Sequence, residues 1–102
     1  MFKKKFFKTK DEVEVTFEFA HAPEAQAVSL VGEFTGWEPV TMKKAKAKGS
    51  SFTTKIRLPK EGQYQFRYLV DGQIWENDEA ADAYWPNEHG SVNSVIFTFS
   101  EN

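Results

Sequence analysis

The stretch YQFRYLV, residues 64–70, alternates without interruption. Tyr64, Phe66, Tyr68 and Val70 take one face, and Gln65, Arg67 and Leu69 take the other. Apolar residues at every second position describe a half-buried antiparallel strand. The Asp71-Gly72 pair that follows is a tight-turn signal.

The same period of two extends outward in both directions. EVEVTFEF, residues 12–19, alternates Val13, Val15, Phe17 and Phe19 with Glu12, Glu14, Thr16 and Glu18. Val28 and Leu30 share a face in AVSLVGEF, as do Phe52, Thr54, Ile56 and Leu58 in FTTKIRL. VIFTF closes the series, with Val95, Phe97 and Phe99 expected inward. The opening KKKFFK reads as a short edge strand whose lysines discourage edge-to-edge pairing. HAPEAQ, KAKGSS and PKEG carry the turn residues between the runs, and ENDEAADAY is either one helical turn or a loop. Short strands at regular spacing, with no amphipathic helix of convincing length, predict an all-β sandwich.

The 102 residues suit one domain with one modest core, over 1–102, and 1–10 form its edge strand. Ten Phe, three Tyr and three Trp exceed what such a core obviously needs, so some rings are left for display. There is no Cys, which favours a reducing compartment, and the basic start has no apolar run behind it. The expectation is a cytoplasmic protein, with no membrane partner, because no stretch is long enough to span a bilayer.

Charge is blocked along the chain, with basic runs early and only acids among the charged residues from Asp71 to Glu88. A pair drawn from Glu76, Asp78, Glu79 and Asp82 invites a hydrolase reading. A glycosidase needs carboxyls about 5–5.5 Å or about 6.5–9.5 Å apart flanking one bond, one of them in an apolar setting. A polar loop of a small domain offers no cleft for that, so a solvated loop is the preferred reading and no catalytic residue is assigned. His21 and His89 lie in separate loops, and no Ser sits in a nucleophile elbow. Zinc and helical calcium-loop spacings are absent, so no metal or cofactor is expected. FKKKFFKTK interleaves lysine with aromatics as single-strand binders do. The net charge of −2 favours a plain edge strand instead, with no nucleic acid partner.

Trp37 in GEFTGWEP and Trp75 after the Asp71-Gly72 turn are both turn-borne. Two readings stand open: they cap the ends of the core, or they present flat rings to a ligand. The apolar C–H face of a pyranose stacks on indole. Arg67, outward on its strand, and Asn93 are then the hydrogen-bonding groups.

Taken in order, Val-x-Leu-x-Gly-x-Phe-x-x-Trp (28–37), Tyr-x-Phe-x-Tyr-x-Val-Asp-Gly (64–72) and Gly-Ser-Val-Asn (90–93) resemble carbohydrate-binding module family 48. That family includes the glycogen-binding domain of the AMP-activated protein kinase β subunit and the early-set domains of isoamylases and branching enzymes. The resemblance covers roughly residues 12–99, and WENDxxAD looks most like short stand-alone bacterial members. It implies an immunoglobulin-like (early set) β-sandwich of about seven to eight antiparallel strands. It also implies non-catalytic binding of α-1,4-glucans such as glycogen or starch. On its pattern the stacking residues are Trp37 and Trp75, the basic sugar contact is Arg67, and the last-strand contacts are Ser91 and Asn93. His89 stands where the kinase-type domain has a leucine that threads into the sugar helix. Thr35-Gly36 replaces the usual Asn, and Ile74 is an extra residue before Trp75. Tyr84 and Trp85 fall outside the pattern and are further candidates. The alternative to glucan binding is an accessory module that docks on a carbohydrate-active enzyme or regulator.

Overall fold

Glu12–Phe19 alternates as its sequence dictates: Val13, Val15, Phe17 and Phe19 are buried while their neighbours face out. The computed structural model describes residues 1–20, 25–44 and 51–99. The turn segments 21–26 and 46–51 lie, apart from Ala25, Gln26 and Ser51, outside them.

Ten strands are present among the described residues: β1 Phe2–Phe6, β2 Glu12–Phe19, β3 Val28–Gly32, β4 Val40–Thr41, β5 Lys43–Lys44, β6 Phe52–Pro59, β7 Gln63–Val70, β8 Ile74–Glu76, β9 Ala83–Pro86 and β10 Val92–Phe97. They form two antiparallel sheets, one in the order β1-β2-β6-β5 and one in the order β4-β3-β7-β10-β9, with β8 also paired to β7. The inner faces meet in one core. Val13, Val15, Phe17, Phe19, Phe52 and Leu58 come from the first sheet; Val28, Leu30, Phe66, Tyr68, Val70 and Ile96 come from the second. Phe17 lies at its centre, edge-on to Phe66 at 5.1 Å and stacked on Phe34 at 5.6 Å. The result is an immunoglobulin-like β-sandwich. β1 is the edge strand expected of the lysine-rich start, and Phe2 tucks its ring against Phe17 and Phe66.

Two expectations require correction. The first concerns β10, where Ile96, paired with Tyr64, faces the core. Val95 pairs with Gln65 and Ala83 on the outer face, and Phe97 follows it there. The outer face is apolar here because Trp85 of β9 leans against Phe97, with centroids 6.5 Å apart, and Val95 is wholly covered. Phe99 continues this outer cluster and is 42% exposed.

The second concerns the acidic segment, which is not a freely solvated loop. It docks on the sandwich and ends in a strand, β9. Asp78 is buried, and its carboxylate accepts from the Tyr68 hydroxyl at 2.7 Å, from the Ala80 N–H and from the Met1 amine. The Asp78 N–H donates to Ser94 Oγ, an inward polar side chain of β10. Asp82 accepts from the Phe97 N–H and from Lys4 Nζ, tying the segment to both sheets. Asp71 accepts the N–H groups of Gln26 and Ala27. The Asp78 bonds satisfy buried or part-buried groups, which is costly to leave undone, while those of Asp71 and Asp82 lie at the surface.

Candidate functional site

β3 carries the chain to Gly32, where a Cβ would stand 2.8 Å from the Gln65 carbonyl and 2.9 Å from Phe66 Cβ. Only glycine permits that approach. A 3₁₀ turn, Glu33–Thr35, follows. Thr35 Oγ1 accepts the Gly32 N–H and donates to the Gly32 carbonyl, closing the turn on itself. Gly36 and Trp37 then both adopt the left-handed region, with φ of 65° and 62°. For a bulky residue such as Trp that conformation is an outlier that costs on the order of 1 kcal/mol and more. The Trp37 N–H donates to the Gly32 carbonyl at 2.9 Å, which holds the strained turn in place. The strained residue is the one whose ring is presented, 44% exposed.

Trp75 arrives by a different route. The turn after β7 folds β8 back so that Leu69 pairs with Trp75 and Val70 with Ile74. Directly paired residues share a face, so Trp75 joins Leu69, Arg67 and Gln65 on the outer face. β10 runs along the same edge of β7 and brings Asn93 to that face. The Arg67 guanidinium carbon lies 5.6 Å from the Trp75 ring centroid, within cation–π range. Its Nε is buried and has no hydrogen-bond partner among the described residues.

These groups open onto one cavity of about 790 Å³, lined by Trp37, Arg67, Trp75, His89 and Asn93 together with Glu33, Gln65, Pro86, Asn87 and Glu88. Its floor is a polar relay. Asn93 Nδ2 donates to Gln65 Oε1, and Asn93 Oδ1 accepts from Asn87 Nδ2. Ser91 stands behind it: its hydroxyl accepts from Asn87 Nδ2 and it does not line the cavity. Tyr84 and Trp85 lie outside as well. The Tyr84 hydroxyl donates to the Asp78 carbonyl and accepts the Ala81 N–H, clamping the acidic segment, while Trp85 belongs to the Phe97 cluster. Glu76, Asp78, Glu79 and Asp82 are absent from the lining too.

Glu33, Asn87 and Glu88 were not singled out by sequence. Gln65 was legible, because the alternation of β7 sets it on the face of Arg67. Asn87 sits in the turn before Gly90, where its Oδ1 accepts the N–H groups of His89 and Ser91, and turn residues of that kind carry no mark of a ligand role.

Residues 13–101 match the family model described as the glycogen recognition site of AMP-activated protein kinase. Among curated relatives, the chain is 32% identical over 69 residues to 5'-AMP-activated protein kinase subunit beta-1 of Sus scrofa, covering 68% of this chain and 52% of that protein. It is also 32% identical over 73 residues to the chloroplastic phosphoglucan phosphatase LSF1 of Arabidopsis thaliana, covering 72% of this chain and 12% of that protein. The chain thus spans about half the length of one relative and a small part of the other. Among solved structures, the enterobactin esterase FES from Shigella flexneri superposes with a TM-score of 0.74 at 11% identity, over 95% of this chain and 32% of that chain, a likeness of fold alone. With a model match that runs from β2 through the last strand, this chain belongs to the carbohydrate-binding module family of the AMP-activated protein kinase glycogen recognition site.

Proposed function

We propose that the domain binds α-1,4-glucan without catalysing its turnover, by stacking sugar rings on Trp37 and Trp75. Arg67 and Asn93 hydrogen-bond sugar hydroxyls, His89 and Asn87 border the ring, and Ser91 acts through Asn87 by holding its amide. The observation that carries the reading is that two tryptophans, 44% and 46% exposed and distant in sequence, line one cavity with a guanidinium whose Nε has no hydrogen-bond partner among the described residues. Indole faces supply the apolar contact, and the polar floor supplies donors and acceptors at the ring edge.

An open site of this kind binds weakly, with Kd on the order of 10 µM to 1 mM, or roughly −7 to −4 kcal/mol. The test is migration in native gels cast with glycogen. The wild type is retarded; Trp37→Ala and Trp75→Ala each lose about 1–2 kcal/mol of binding, roughly five- to thirtyfold, and run free. Unchanged migration of the wild type, or variants retarded as strongly as the wild type, removes the proposal.

A second reading, an accessory module docking on a carbohydrate-active enzyme, is favoured by the outer Trp85–Phe97–Phe99 cluster with its exposed Phe99. Its signature is a partner enzyme that co-purifies and is not displaced by excess maltooligosaccharide.

A further inference from the structure

The cavity contains two carboxylates, Glu33 and Glu88, that no other described residue uses fully. Glu33 begins the 3₁₀ turn, and its Oε1 accepts the Gln65 N–H at 2.7 Å. That bond lies just beyond the last β3–β7 pair, Gly32 with Phe66, and it fixes the carboxylate at the cavity wall. Its other oxygen has no donor, and no cation lies within ion-pair distance among the described residues. Glu88, in the turn on the opposite border, is likewise without a partner among them. The remaining charged or titratable groups of the lining are Arg67 and His89. Arg67 is directed against Trp75, with its Nε buried.

The site therefore holds an acceptor and a donor that the fold keeps apart. A neutral ligand rich in hydroxyls satisfies both, because each hydroxyl donates and accepts. A ligand that carries an anion satisfies only the guanidinium and meets two carboxylates. We propose that Glu33 is a ligand-contacting residue that accepts a sugar hydroxyl, and that with Glu88 it makes the site select uncharged glucan over glucan bearing phosphate monoesters. This rests on the glucan reading above and deepens it.

The experiment is calorimetric titration of the wild type and of Glu33→Gln with maltoheptaose and with maltoheptaose bearing one phosphate monoester, at low and at high salt. The glutamine carbonyl still accepts the Gln65 N–H, so the local fold is retained. At low salt the wild type prefers the neutral chain roughly tenfold, and the preference shrinks at high salt as the charges are screened. Glu33→Gln moves the two ligands in opposite directions. The neutral chain binds about threefold more weakly, because a charge-assisted hydrogen bond is lost, and the phosphorylated chain binds more tightly. A structural lesion weakens both. Equal wild-type affinity for the two chains, or a variant that shifts both in one direction, overturns the selectivity and leaves glucan binding standing. Wild type that binds neither chain removes the glucan reading and this inference with it.

Discussion

Trp37 is held in a backbone conformation that its own side chain disfavours. The cost is borne by Gly32, Thr35 and Gly36, which build the turn beneath it. Glycine at 37 relieves the strain and alanine does not. Trp37→Gly is therefore expected to be more stable than Trp37→Ala by about 1 kcal/mol, while the two are equally impaired in glycogen binding. Thermal unfolding of both variants checks this, and equal melting temperatures argue that the turn is unstrained. The sequence marks Trp37 as turn-borne, through two glycines and a proline around it. It does not mark the ring as displayed, because a tryptophan at a strand end serves a core equally well until the neighbouring strands are in place.

At the scale of the element, alternation resolved β2 and β7 because polar residues separate the apolar ones. It misled at β10, where Val95, Ile96 and Phe97 are consecutive and either phase satisfies a period of two. Pairing to Tyr64 and Phe66 decides the phase, and that is a tertiary fact. β9 escaped notice because its four residues follow a run of acids and end in Pro86, so nothing in them alternates at length. The strand gives Trp85 a definite place, packed against Phe97 on the outer face. Trp85→Ala is expected to lose about 2–4 kcal/mol of stability, the cost of uncovering a packed aromatic, with glucan affinity changed less than twofold. Urea unfolding paired with calorimetry on the folded variant measures both. A large loss of affinity in a folded Trp85→Ala would return this residue to the site.

For the whole molecule, the acidic segment proves to be part of the fold's frame. Burial pushes the Tyr68 hydroxyl far above the usual phenol range, and the Asp78 carboxylate beside it adds to the effect. The neutral phenol is thus favoured in the native state, while an unfolded tyrosine ionises near about pH 10. A raised folded-state pKa contributes stability that is fully present below the unfolded-state pKa and is lost as pH rises from there toward the folded-state value. Unfolding free energy is expected to fall by up to about 1.4 kcal/mol per pH unit above about pH 10, from this group alone. Tyr68→Phe, less stable at neutral pH because Asp78 loses a donor, gives a shallower alkaline slope; parallel slopes contradict the assignment.

The chain's three tryptophans divide sharply: Trp37 and Trp75 line the cavity, and Trp85 packs elsewhere. Their indole N–H resonances, followed by ¹H–¹⁵N NMR as maltoheptaose is added, report on which rings the sugar touches. With sugar stacked on both rings, the Trp37 and Trp75 signals shift together along one saturating curve, while Trp85 stays in place. Movement of Trp85 alone, or no movement of any indole at millimolar sugar, would contradict it.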